Sequence, residues 1–348
     1  MDTRQVVLGV DIGGTNTKFG LVDRQGRCLA AASIGTESHH PAERFFGRLQ
    51  EASRQLLGSL AGDRVLAGIG IGAANANFYK GTIEHPPNLD WDYVDIRAEV
   101  RKLSPVPVAV TNDANAAALG EMLFGAAQGM SDFIVITLGT GLGSGIVANG
   151  ELVYGADGFA GEIGHTTVFP DGRLCGCGRR GCLETYASAT GLCRTVHELF
   201  CNTNTPSELR GVSFEKMTSK MVYESALRED PIALESFSVT GRILGMKLAD
   251  SVAYLSPEAI IVSGGLAAAG DLILEPTRRS LEQHVFPIFR GKTRLLATRL
   301  AGGNPAVLGA GALIWNVLEK GPKTPGTGRG AGPDFPGSPE AAPRPDAL

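Results

Sequence analysis

The sequence predicts an α/β protein of two domains that hold a ligand between them. Three observations lead there. Strand-like runs alternate with helix-periodic runs in both halves of the chain. The 348 residues leave about 320 once a tail rich in glycine and proline is set aside, more than one core usually organises. Three glycine loops each follow a strand-like run directly, where backbone can approach a bound group with no Cβ in the way.

Val6–Val10 reads as a buried strand, followed by Lys18–Val22 and Cys28–Ser33 around the turn Asp23-Arg24-Gln25-Gly26, a meander of three. Pro41 to Leu60 carries Phe45, Phe46, Leu49, Leu56 and Leu60 on helical spacing, with Pro41 suited to a first turn. Val65–Ile71 and Pro107–Val110 are strands. The second leads through Thr111-Asn112-Asp113 into an alanine-rich helix, Ala114–Phe124. A second round starts with the strand Phe133–Leu138. The strands Gly145–Ala148 and Glu151–Tyr154 follow, joined by the turn Asn149-Gly150. Helices are predicted over 184–199, 232–254, Asp271–His284 and Ala306–Leu318, and strands at Ala259–Val262 and Thr293–Thr298. The tail, 321–348, reads as a flexible extension.

Composition narrows the function classes. With 32 basic and 36 acidic residues the net charge is −4, and no basic stripe marks a nucleic-acid surface. No apolar run is long enough to span a bilayer, and the first residues lack a signal-peptide core. A cytoplasmic protein with no membrane or nucleic-acid partner is the expectation. The chain has 47 glycines, and their excess reads as many tight turns or as backbone held close to a ligand.

The first glycine loop, Asp11-Ile12-Gly13-Gly14-Thr15-Asn16-Thr17-Lys18, lies between two predicted strands. Its amides suit an anion, and Asp11 suits a magnesium ion held through water. An ordinary hairpin with a glycine turn accounts for it equally well. Gly139 to Gly145 is the second loop and Ser263-Gly264-Gly265 the third. Neither is a Walker A sequence, and the G-x-G-x-x-G at Gly176 to Gly181 follows no strand. Asp113 suits a general base at the start of a helix, although an N-cap is the commoner use of a carboxylate there. His165, Cys175, Cys177 and Cys182 offer one imidazole and three thiolates, the donor set of a closed structural zinc site. Three buried free thiols are the alternative. Cys28, Cys193 and Cys201 lie apart and read as packed thiols.

Taken together, Asp11-x-Gly-Gly-Thr-x-x-Lys18, Thr111-Asn-Asp-Ala-Asn115, Leu138-Gly-Thr-Gly-x-Gly143, Gly161-Glu-Ile-Gly-His165 and the run from Cys175 to Glu184 resemble the ROK family of bacterial sugar kinases and repressors. The resemblance spans roughly residues 5–317 in one order. It implies a two-domain actin-like ATPase (ribonuclease H-like) fold with an interdomain cleft. The N-terminal domain would comprise 1–116, completed by the helix 305–319. The C-terminal domain would comprise 117–304, with a zinc-binding insert at 161–184.

The resemblance also implies ATP-dependent phosphorylation of a hexose at its 6-hydroxyl, with Asp113 as the base. Asn112, Asn77, Glu162, His165 and Glu184 would bind the sugar. Asp11, Gly13, Gly14, Thr15, Asn16 and Lys18 would meet the ATP phosphates and magnesium, as would Gly139, Thr140, Gly141 and Gly143. Gly264 and Gly265 would lie by adenine and ribose. Glucose is the expected acceptor, because Asn75 to Glu84 and Pro87 to Trp91 look like the glucokinase branch. Ala73-Ala74 stand where that branch often has Pro-Gly, which leaves N-acetylglucosamine or another hexose as the alternative. A sugar-responsive repressor is a further alternative. Its DNA-binding domain would precede Asp11, where this sequence has ten residues. A homodimer is implied as well.

Overall fold

The N-terminal meander forms as its alternation requires. In a computed structural model of the chain, which describes residues 4–60, 64–102, 104–300 and 304–320, β1 (Gln5–Ile12) pairs antiparallel with β2 (Asn16–Val22). The strand β2 pairs antiparallel with β3 (Cys28–Gly35). On its other side β1 pairs in parallel with β4 (Val65–Ala73), and β4 with β8 (Val108–Thr111). Successive residues of β1 face opposite sides of the sheet. Val6, Leu8 and Val10 pack with Phe45, Phe46 and Leu49 of α1 (Ala42–Gly58), whereas Val7 packs with α8 (Pro305–Lys320).

The second sheet repeats this order. Strand β9 (Phe133–Leu138) pairs antiparallel with β10 (Leu142–Ala148), which leads to β11 (Glu151–Leu152). Parallel to β9 runs β12 (Ala259–Ser263), and parallel to that β13 (Arg294–Ala297). The orders β3-β2-β1-β4-β8 and β11-β10-β9-β12-β13 correspond strand by strand. Two such sheets around shared helices make the actin-like ATPase fold. The shared helices are α3 (Asp113–Phe124) and α8, which cross where Gly120 meets Gly309. The expected boundary at 116/117 falls inside α3. Ile134, Ile136 and Leu138 face the other way, into a core built with α4 (Ala189–Asn202), α5 (Ser219–Leu227), α6 (Pro231–Leu255) and α7 (Asp271–His284).

Several expectations need correction. The helix expected from residue 184 begins at Ala189. Leu183–Thr185 is a separate 3₁₀ turn, and Ser188 caps the helix by accepting from the Gly191 N–H at 3.0 Å. A small sheet of β5 (Ala76–Asn77), β6 (Thr82–Glu84) and β7 (Tyr93–Asp95), followed by α2 (Ile96–Arg101), was not expected. Strands of two or three residues carry no readable alternation. Cys201 is exposed rather than packed, while Cys193 is buried. The tail assigned to 321–348 lies outside the described residues.

The glycines also serve packing more than expected. A Cβ on Gly9 would strike the Val307 carbonyl, and one on Gly70 the Ala310 carbonyl, so these glycines seat α8 flat on the first sheet. Among the described residues no helix is long and apolar enough to cross a membrane.

Candidate active site

Two cavities meet at the start of α3. The first, of about 670 Å³, is walled by Asn75, Asn88, Asn112, Asp113, Glu162 and Glu184, by the glycine loop Gly139–Gly143, and by the first turns of α4. The second, of about 600 Å³, is lined by Asp11, by Ser263-Gly264-Gly265 and by α3 at Asp113, Ala117 and Glu121. The last three are four residues apart, one face of the helix. Asp113, Thr137 and Gly264 line both cavities.

Strand β8 delivers Asp113 to this junction. The cap of α3 is Asn112, whose Oδ1 accepts from the Ala114 N–H at 2.8 Å. Asp113 is therefore not the cap, although its own Oδ1 also accepts from the Ala114 N–H, at 2.9 Å. Its side chain opens into the cleft, yet it stands deep within the molecule. That depth raises its carboxyl above the ordinary range, with the backbone hydrogen bonds opposing. Asn112 spends its oxygen on the cap and keeps its amide NH₂ for a ligand.

Asp11, at the end of β1, sits opposite Lys18 in the hairpin register. Burial first, and then the charge of Asp113, push its carboxyl up to about 6, while Lys18 pulls it down. Gly13 to Asn16 form the hairpin turn, closed by the Gly13 N–H donating to the Asn16 carbonyl at 3.2 Å. Thr36, which the sequence did not single out, clamps the turn by donating to the Gly13 carbonyl at 2.6 Å. Of the residues expected in this loop, Asp11 is the one that reaches the second cavity. The second loop, Gly139, Thr140, Gly141 and Gly143, lines the first. A Cβ on Gly143 would press on Ala114, so the loop lies against the start of α3.

An ionised Asp11 is a destabilising group, which gives a testable sign. With its folded value near 6 and its unfolded value at 3.8, the protonated form is the favoured one in the fold. That stabilisation is complete below 3.8 and lost as pH rises through about 6. The Asp11→Asn variant is expected to be more stable than wild type by about 3 kcal/mol at pH 8 and nearly equal to it near pH 3.5. Thermal melts across this range read the difference.

The acidic wall comes from the 161–184 segment. Ser144 Oγ bonds the Gly161 carbonyl and accepts from the Ile163 N–H at 3.1 Å, fastening the segment to β10. Glu184 accepts from the Leu142 N–H at 3.3 Å and from Cys175 Sγ at 3.1 Å. Burial raises the carboxyl of Glu162; His165 opposes this, and the charges of Asp113 and Glu184 add to it. His165 lies between these groups, with Nδ1 3.7 Å from Cys175 Sγ and Nε2 4.0 Å from Glu162.

The donor atoms of His165, Cys175, Cys177 and Cys182 lie within 4.8 Å of one another, and Cys177 and Cys182 are 3.7 Å apart. Thiolates around a tetrahedral zinc stand about 3.7 Å apart, from bonds near 2.3 Å. The residues present therefore fit that metal. Arg173 ties the segment to α4, pairing with Glu198 at 2.6 Å and donating to the Thr185 carbonyl at 2.6 Å.

Two of the expected sugar residues, His165 and Asn77, do not line either cavity; His165 stands beside Glu162 and Glu184, which do. Asn77 is fully buried, its NH₂ donating to the Asp157 carbonyl at 2.7 Å and its oxygen accepting from the Tyr79 and Lys80 N–H groups. It is spent on joining the small sheet to the second half. Asn75 and Asn88 wall the cavity instead. Asn75 holds φ at +52° and donates to the His85 carbonyl at 2.9 Å. Sequence reasoning also missed Ser188, the cap of α4, and Thr190 and Arg194 on that helix, all of which line the first cavity.

A doubled α/β fold with glycine loops and carboxylates at one junction defines a class, and the chain belongs to it: it is a member of the ROK family, whose profile matches residues 7–317. Among individual proteins it is similar to the glucokinase of Halalkalibacterium halodurans, 36% identical over 91% of this chain and 98% of that one. It is also similar to the ROK family glucokinase of Streptomyces griseus in a crystal structure with glucose and AMPPNP. There the identity is 38%, the TM-score 0.76, and the coverage 88% of this chain and 98% of that one. A putative xylose repressor of Caldicellulosiruptor sp. is 29% identical over 89% of this chain and 78% of the repressor.

Proposed function

We propose that this ROK protein is an ATP-dependent hexose kinase that converts glucose to glucose 6-phosphate. One observation carries the reading: Asp113 stands where a carboxylate-walled cavity and a glycine-lined cavity meet. Carboxylates suit a polyol, since each accepts from adjacent hydroxyls. Glycine loops suit phosphates. Relatives from separate organisms that are glucokinases support glucose as the acceptor.

In this reading the sugar lies against Glu162, Glu184, Asn112 and the Nε2 face of His165. Its 6-hydroxyl points at Asp113. Asp113 takes the hydroxyl proton as the oxygen attacks the γ-phosphorus, and ADP departs. A raised carboxyl pKa makes Asp113 a stronger base than an exposed aspartate. The loop Gly139–Gly143 presents backbone amides to the phosphates. Asp11 would hold magnesium, which offsets phosphate charge. His165, Cys175, Cys177 and Cys182 would hold a structural zinc that fixes the ring of His165.

The repressor relative favours a second reading, a sugar sensor without turnover. ADP release separates the two. With ATP and a panel of glucose, N-acetylglucosamine, mannose, fructose and allose, glucose is expected to give the highest kcat/KM. No sugar-dependent ADP release from any of the five would overturn the kinase reading. N-acetylglucosamine in first place would reassign the acceptor.

A further inference from the structure

A sugar accounts for the carboxylates of the first cavity and leaves one cation over. Among the described residues, Arg194 is the one basic side chain on the lining of either cavity. Arg194 stands on α4, six residues past the cap Ser188, about 9 Å along the helix. Its Nη1 donates to the Leu174 carbonyl at 3.1 Å, which fixes the guanidinium at the wall. Gly264, with φ at +90°, lines the same cavity, and a Cβ on Gly265 would meet open space.

We propose that Arg194 binds the base of the phosphoryl donor by laying its guanidinium plane on the ring face. This rests on the kinase reading and extends it to donor selection. The spatial order of the groups carries the assignment. The transferred phosphoryl group must lie at Asp113. Gly143 abuts Ala114 beside it, and the other end of that loop is joined to α4, the Ala189 N–H donating to the Gly139 carbonyl at 2.9 Å. Arg194 comes next along α4. A nucleoside triphosphate laid on this path sets its phosphates on the loop and its base at Arg194. A planar cation and a flat π face attract each other, and an ammonium has no plane to offer.

The test compares wild type, Arg194→Ala and Arg194→Lys in KM for ATP, KM for glucose, and inhibition by adenosine and by inorganic tripolyphosphate. Arg194→Ala is expected to raise the ATP KM and weaken adenosine inhibition about tenfold. Tripolyphosphate inhibition and the glucose KM stay within about twofold, and lysine does not restore ATP binding. Equal weakening of tripolyphosphate, or rescue by lysine, overturns the proposal in favour of a phosphate contact. A glucose KM that rises as much as the ATP KM also overturns it, because Arg194 then merely holds the Leu174 loop. Failure of the kinase reading itself shows separately, as no ADP release by wild type.

Discussion

Asp113→Asn is expected to lower kcat by about 10²- to 10⁴-fold, the usual worth of a positioned general base. Glucose binding, read by quenching or calorimetry, is expected to change far less. The amide keeps the shape of the carboxylate but cannot take the hydroxyl proton. The fold is expected to survive, because Asn112 and not Asp113 caps α3. The pH profile offers a second readout. Burial raises the Asp113 carboxyl, so the acid limb of wild-type kcat/KM should lie above the ordinary carboxylate range. The variant should lose that limb. Removing the Asp113 charge should also let the Asp11 and Glu162 carboxyls fall, since that charge helps to raise both. Wild-type turnover in Asp113→Asn would remove Asp113 from the chemistry.

The site was legible where spacing carries it. Asp11 at a strand end, Asp113 between a strand and a helix, and three cysteines within eight residues are local patterns, and the fold brings them together. Asn77 was misjudged because four asparagines crowd positions 75 to 112, and only register decides which face the cleft. Arg194 left no signal at all. It belongs to an ordinary helix and reaches the cavity through the packing of α4 on the second glycine loop. The glycine excess serves helix packing as well as close approach to a ligand. Gly9 and Gly70 sit inside strands, where the approach of α8 excludes a Cβ, and sequence alone does not separate a helix from a ligand as the cause. The strands β1, β4 and β9 were readable because their runs are long and largely buried. The sheet β5–β7 was not, because its strands run for two or three residues between turns.

The other large effect concerns Cys177, an exposed member of the cluster His165, Cys175, Cys177 and Cys182 that could hold a zinc ion. Serine there removes one thiolate without opening a core cavity. Zinc content is expected to fall from one per chain toward zero, and the glucose KM to rise about 10- to 100-fold, the usual range for disturbing groups that orient a site. The reason lies in shared atoms. His165 turns Nδ1 to the sulfur cluster and Nε2 toward Glu162, so a metal held there would fix the ring that the kinase reading sets beside the sugar. Glu184 is bound at once to Cys175 Sγ and to the Leu142 N–H of the phosphate-loop strand. Relaxation of the cysteine loop therefore moves two sugar-facing side chains. The ATP KM should rise less than the glucose KM, because Asp11 and the Gly264 turn belong to other elements and the loop meets the ATP side through the Leu174 contact of Arg194. Elemental analysis and steady-state kinetics on one preparation decide the matter. Lost zinc with an unchanged glucose KM would show that the cluster only staples its loop.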